Sequence, residues 1–327
     1  MAKQTRKTNV RNRKNKPHPN NRNVKKVENP HDKRFKALFS NKKSFLSLLR
    51  DYIKDDWINS LDEDSLKKSE KSFILQDFSE LEADIVYEAS LSGKKVIFYI
   101  LQELQSYIDF RMPYRLLLYI VEILRDFYNH SDVKERDNKD FKFPVVFPIL
   151  FYSGSGTWTV PLRLNQMFDG YERFGGNVLN FEYVLVDAKG FKERDLDALS
   201  SRLLATVLLM EKSKNNIEFY DNIRKSLSDI KGLDVEEKRI FNLFLKIMDL
   251  AYGNNRGQEV RSILSENEVK EADRMLCDLV ENAKREKEEL KLERTLEIAK
   301  AMLLEKLPVD LIIRLTNLSK EQIEAIQ

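Results

Sequence analysis

The stretch that decides the fold is "LEADIVYEASLSGKKVIFYILQELQS", Leu81–Ser106. Two runs rich in β-branched and aromatic residues flank Ser90-Leu91-Ser92-Gly93, and Gly93 supplies a position where a positive φ carries no steric penalty. The pattern predicts a β-hairpin, with strands over 83–89 and 94–105. Val96–Leu101 is apolar throughout, as a strand covered on both faces requires. Yet the second strand ends Gln102-Glu103-Leu104-Gln105, and Asp84 opens the first. Polar groups on a buried strand cost free energy unless they have partners.

Side chains alternate along a strand, so Glu103 and Gln105 share the face of Ile97, Tyr99 and Leu101, while Gln102 and Leu104 point the other way. A turn near Ser92 brings Asp84 opposite residues 100 to 102. Asp84 and Glu103 can then meet at one end of the hairpin, where two carboxylates repel unless they share a proton or a cation. A hard divalent ion, magnesium or manganese, relieves that repulsion, and the Leu104 carbonyl could be a further ligand. Gln105 is no base, but its amide can orient a water. The alternative is a salt-bridged hairpin end, with Asp84 and Glu103 paired to Lys94, Lys95, Arg111 or Arg115.

Outward from the hairpin, "NPHDKRFKALFSNKKSFLSLLRDYI" reads as a helical stripe, with Asp32 as a cap and a turn at Asn41. Residues 54–72 read as a polar connection with a short helix around Trp57, and Phe73–Leu75 as a short strand. "PYRLLLYIVEILRDFYNH" is a helix with Pro113 in its first turn. "FPVVFPILFYSG" (143–154) and "FEYVLVDA" (181–188) read as further strands. The result is an α/β arrangement with a small mixed sheet. Strand signals vanish after Lys189. Residues 192–212, 216–230, 235–252 and 257–306 read as helices, the last charged enough to be solvated or to join a coiled coil. Two short helices close the chain, with Ser319 and Gln322 forming a capping box. Such a hairpin of helices either packs on its neighbour or reads DNA. The boundaries predicted are a basic arm over 1–28, an α/β unit over 29–190, a helical region over 191–255 and a charged helix with a helical hairpin over 256–327. The C-terminal helices could also pair two copies.

At 327 residues with 19 Phe and 12 Tyr, the chain can build a substantial core, so its 33% charged residues imply solvated helices rather than disorder. A single cysteine, Cys277, excludes intrachain disulfides and a cysteine zinc site. No run reaches the length of a membrane span, and the first residues carry charge without the apolar core of a signal peptide. A soluble cytoplasmic protein is expected. Residues 1–27 hold ten basic residues and no acid (among them Lys3, Arg6, Lys7, Arg11, Arg13, Lys14 and Lys16), against a net charge of +3 for the whole chain. The body is therefore mildly acidic and the arm basic. Such an arm either contacts nucleic-acid phosphates without reading sequence or is a solvated tail.

Four segments in this order, "NPHDKRFKALFSN", Leu81–Leu124, "FPVVFPILFYSGSGTWTVP" and "EIAKAMLLEKLPVDLIIRLTNLSKEQIEAI", resemble the Rpn family of recombination-promoting nucleases, also called PD-(D/E)XK nuclease family transposases. The resemblance covers about 29–188 and 293–327. It implies a restriction-endonuclease-like core in which an Asp opens the second strand and a Glu-x-Lys ends the third. Those positions are Asp84 and Glu103-Leu104-Gln105, and glutamine in place of lysine is usual in the family. Leu104 stands where histidine is common, on the face turned from the metal, so ligation is the least affected. His31-Asp32 matches a family pair that could neighbour the site. Arg111 and Arg115 match the segment after Glu-x-Gln and could hold phosphate. The resemblance implies a magnesium-dependent DNA endonuclease of a bacterial type, tied to recombination or mobile elements. The alternative is an inactive nuclease fold serving as a DNA-binding or helical interaction protein.

Overall fold

The computed structural model describes residues 30–69, 85–103, 108–154, 156–252 and 255–326, and for 30–34, 102, 103, 251 and 252 the backbone alone. The basic arm, the expected strand at Phe73–Leu75, and Asp84, Leu104 and Gln105 lie outside the described residues.

The helices α1 (Pro30–Ser40) and α2 (Lys42–Ser47) lead into a π-helical turn (Leu48–Ile53) and a 3-10 turn (Asp56–Ser60). The strands β1 (Leu61–Lys68), β2 (Ile85–Leu91) and β3 (Lys94–Glu103) follow. Next come α3 (Met112–His130), α4 (Val133–Arg136), β4 (Val145–Tyr152) and β5 (Val184–Asp187). The rest is helical: α5 (Glu193–Asp197), α6 (Arg202–Glu211), α7 (Asn216–Lys225), α8 (Leu227–Gly232), α9 (Val235–Tyr252), α10 (Arg256–Glu266), α11 (Val269–Leu304), α12 (Val309–Thr316) and α13 (Lys320–Glu324).

Among the described residues the strands form one mixed sheet in the order β1-β2-β3-β4-β5. The pairs β1–β2 and β2–β3 are antiparallel, and β3–β4 and β4–β5 are parallel. The α3 crossover makes the first parallel pair possible, since parallel neighbours need a long connection. The hairpin is tighter than the sequence pattern implies. β2 runs on to Leu91, which pairs with Lys94, and Ser92-Gly93 alone make the turn. Both turn residues have positive φ, 49° and 78°, the geometry whose twist matches the flanking strands.

β1 corrects the reading of 54–72 as mostly connection. Leu61 and Leu66 alone bury their side chains in "LDEDSLKK", so neither alternation nor propensity marks it. Pairing with β2 makes it a strand, with an irregularity between Asp62 and Lys67. There Ser65 Oγ donates to the Asp62 carbonyl at 2.5 Å and accepts from the Ser90 amide at 2.7 Å. The charges left on this edge strand also discourage pairing with another chain.

The two faces of β3 are covered differently. Val96, Phe98 and Ile100, with Ile85, Tyr87 and Ala89 of β2, join a core that reaches from Phe35 of α1 to Ala283 of α11. Phe45 stacks on Tyr87 at 4.4 Å, and the Tyr87 hydroxyl donates to the Phe39 carbonyl at 2.9 Å. Phe35 meets Phe151 of β4 at 4.6 Å. On the other face Ile97, Tyr99 and Leu101 pack with Met112, Leu116, Tyr119 and Ile123 of α3. That buried stripe includes Tyr119, while Leu117, Ile120 and Leu124 of α3 are half-buried beside it.

The helix expected over 257–306 is two helices. Lys231 Nζ donates to the carbonyls of Leu264 and Asn267 at 2.5 and 2.6 Å, satisfying orphan acceptors where α10 ends. Leu296, Ala299 and Leu303 of α11 pack against Ile312, Leu318 and Ile323, so this leucine stripe is covered within the chain. The Ser319–Gln322 capping box forms as expected. Among the described residues no helix is long and apolar enough to cross a membrane.

The turn gives a direct check on the hairpin. Replacing Gly93 with Ala places an L side chain at φ +78° and should destabilise the protein by about 1 kcal/mol. Ser92→Asn, better suited to its own positive φ, should be stabilising. Urea unfolding of both variants measures the two signs.

Candidate active site

Ligands of open α/β sheets bind outside the carboxyl ends of the parallel strands. Here that end is marked by a register row running from Glu103 to Tyr152 to Asp187 across β3, β4 and β5. The hairpin brings a second backbone to the same end, because Ile85, the first residue of β2, pairs with Ile100. Asp84 precedes Ile85 in the chain and lies outside the described residues, as do Leu104 and Gln105. Glu103 is placed by its backbone as the last residue of β3.

Beside this row the chain is tightly built. Tyr152 is fully buried, its hydroxyl donates to the Gly156 carbonyl at 2.9 Å, and its ring meets Trp158 at 5.0 Å. A Cβ on Gly154 would collide with the Tyr152 ring, so this turn requires glycine. Trp158 donates to the Tyr183 hydroxyl at 3.1 Å, which donates in turn to the Pro161 carbonyl at 3.0 Å. Burial pushes the Tyr183 hydroxyl up to about 12, against the opposing effect of the Trp158 bond.

The segment that leads from β3 to α3 returns over the same corner. A Cβ on Gly156 would touch Ile108 at 3.6 Å, and Ile108 and Met112 pack in one cluster with Leu101. Between them sits Asp109, 8% exposed. Its Oδ1 accepts from the Arg111 amide at 2.9 Å and from Arg111 Nε at 3.0 Å. Its Oδ2 accepts from Arg111 Nη2 at 3.3 Å and from Arg115 Nη1 at 2.9 Å. Burial works to raise the Asp109 pKa, but the Arg111 side-chain and backbone bonds, and then Arg115, outweigh it and hold the carboxyl below its ordinary value.

Among the described partners, Arg111 and Arg115 therefore meet on Asp109. The sequence reading offered phosphate, Asp84 or Glu103 as their partners and passed over Asp109. The available signal was spacing: an acid two residues before one arginine and six before another, at the mouth of a predicted helix. Arg115 is 2% exposed, beneath the sheet, while the Arg111 side chain is 68% exposed. His31 and Asp32 lie in the first turn of α1, which starts at Pro30, so Asp32 is inside the helix and is not its N-cap. Among the described residues no group of three or more His, Cys, Asp or Glu could hold a metal ion.

A family model described as "Putative transposase, YhgA-like" matches residues 29–239. The chain belongs to this family. The YhgA-like transposases stand with the Rpn proteins in the PD-(D/E)XK nuclease superfamily, and the mixed sheet flanked by helices is consistent with that fold. The chain is 28% identical over 126 residues to "Recombination-promoting nuclease RpnD" of Escherichia coli O157:H7, covering 38% of this chain and 46% of that protein. It is 25% identical over 184 residues to "Recombination-promoting nuclease RpnC" of Escherichia coli (strain K12), covering 56% and 58% respectively. The chain thus spans about half the length of the curated relatives it matches. No solved structure matches it. In this YhgA-like chain the match takes in the whole sheet and the Asp109 corner.

The lowered pKa of Asp109 has a definite sign for stability. The pair's contribution is complete above the unfolded-state value of about 3.9 and is lost as pH falls through the lower folded-state value. Asp109→Asn removes the carboxylate that Arg115 and Arg111 share and should cost about 1.5–3 kcal/mol at neutral pH, the range of a hydrogen bond to a charged group. Its stability should also fall less steeply than wild type below about pH 4. Urea unfolding across pH 2–7, an interval set by these pKa ranges, measures both effects.

Proposed function

We propose that this chain is a divalent-metal-dependent DNA nuclease with a restriction-endonuclease-like core, hydrolysing phosphodiester bonds at the carboxyl end of β3. The observation that carries the proposal is the hairpin register. Ile85 pairs with Ile100, so the chain enters β2 at the end where Glu103 leaves β3, and Asp84 is the residue before Ile85 in the sequence. The printed names of the relatives, both recombination-promoting nucleases, support the same chemistry and a link to recombination or mobile DNA.

In this proposal the carboxylates of Asp84 and Glu103 and the Leu104 carbonyl hold magnesium or manganese, a set of hard oxygen donors suited to either ion. The bound ion would lower the pKa of its water and offset charge on the phosphate. Gln105 aligns the attacking water by hydrogen bonding, since a carboxamide cannot take its proton at neutral pH. Arg111 meets a backbone phosphate, and His31 and Asp32 stand as neighbours of the site. The basic arm, Lys3 to Lys16, adds sequence-independent phosphate contacts that weaken with salt.

A second proposal is a nuclease fold that binds DNA or a helical partner without cutting. It is favoured by one observation: the described residues contain no metal-holding group of three or more His, Cys, Asp or Glu. Plasmid nicking separates the two. Wild type should nick supercoiled DNA with magnesium or manganese and not with a chelator. Asp84→Ala and Glu103→Ala should each reduce the rate at least about 100-fold while keeping wild-type thermal unfolding. Normal cutting by both variants sinks the site assignment. Salt-sensitive DNA binding by a wild type that never cuts selects the second proposal.

A further inference from the structure

α3 carries an apolar stripe on each of two opposite sides. Met112, Leu116, Tyr119 and Ile123 form one, which packs with the sheet. Tyr114, Leu117, Val121, Leu124 and Tyr128 form the other, spaced alternately by three and four residues. That alternation places all five on one side of a helix and is the spacing of a seam between two helices. The second stripe faces water. Tyr114 is 48%, Val121 50% and Tyr128 39% exposed, and Leu117 and Leu124 are half-buried between them. A helix apolar on both sides is one that is covered on both sides, and the sheet covers only the first.

The patch continues past the helix. Phe143 is 51% exposed and stacks beside Tyr128, with ring centroids 6.1 Å apart. Arg136 lies over the Tyr128 ring at 5.1 Å. These apolar side chains expose roughly 500 Å², at the upper end of what a monomer leaves in water. That is more than half of the about 800 Å² per partner that a standard interface buries, and tyrosine, phenylalanine and arginine are the residues such interfaces favour.

The stripe also matches itself. Tyrosines stand seven residues before and after Val121, and leucines four before and three after. Turned end over end against a copy, Tyr114 meets the partner's Tyr128, Leu117 meets the partner's Leu124, and Val121 lies against the partner's Val121. Self-complementarity of this kind is the condition for a two-fold contact. Charge agrees with it. Arg125, beside the stripe, is ion-paired with Glu122 of its own chain, so the middle of the patch is neutral and offers a polyanion nothing. In the antiparallel arrangement each Arg125 also lies about 12 Å along the axis from its copy.

We infer that the outer face of α3 is a docking surface for a second copy of this chain, paired antiparallel about Val121. This surface is separate from the C-terminal helices, whose leucine stripe is covered within the chain, and it does not depend on the proposed nuclease chemistry.

Sedimentation velocity of the full chain tests the pairing. Wild type should sediment as a dimer at about 10 µM and above, since interfaces of this size bind at micromolar strength or tighter. Val121→Glu sets two like charges against each other on the two-fold axis and should weaken dimerisation at least about 100-fold, with wild-type far-UV circular dichroism. Val121→Lys should do the same. An equimolar mixture of the two variants should dimerise again, because only an antiparallel contact centred on residue 121 sets the glutamate of one chain against the lysine of the other. The mixture also separates loss of the interface from loss of the fold, since misfolded chains do not restore each other. A monomeric wild type overturns the inference. A dimer that both variants leave intact overturns it too and moves the pairing to another surface, and so does a mixture that stays monomeric.

Discussion

A strand covered on both faces must find partners for every amide and carbonyl along its length, because water reaches neither side. β3 is that strand. Val96, Phe98 and Ile100 are buried against one set of helices, and Ile97, Tyr99 and Leu101 against α3. It therefore needs a strand on each edge. The hairpin supplies one at once, antiparallel. The crossover through α3 supplies the other, parallel. The mixed character of the sheet follows from these two connections, and so does the meeting of the start of β2, the end of β3 and the end of β4 at one end, because the two-residue turn fixes the register.

The same burial sets the electrostatics of the corner. Arg115 lies beneath the sheet, where an uncompensated charge would be costly, and Asp109 is its described counterion. Because that carboxylate also bonds Arg111, the buried pair at the base of α3 also fixes the orientation of a side chain at its surface. The arrangement shows how packing of the interior can prepare an exposed group, since the exposed guanidinium inherits its orientation from a buried partner.

Membership of the YhgA-like transposases places the chain among nuclease-fold proteins, but the curated relatives are matched over about half of their length. The chemistry proposed therefore rests on the hairpin rather than on the whole of any relative. The helical region is bound to the sheet through one continuous core, with Phe35 of α1 meeting Phe151 of β4 and Phe244 of α9.

The sequence by itself determined the hairpin, the helix after it, the two further strands and the helical second half, because these depend on local periodicity and turn chemistry. It marked Glu103 as the polar end of an apolar strand and Asp84 as its neighbour across the turn. The tertiary structure alone decided that "LDEDSLKK" is a strand, since only pairing with β2 and burial of Leu61 and Leu66 hold it there. It alone broke the long C-terminal helix at Asn267, where Lys231 from another helix takes the last carbonyls. It also gave Arg111 and Arg115 a common partner in Asp109. Charged residues a few positions apart admit many pairings in sequence, and the choice among them is made by which side chains burial brings within reach.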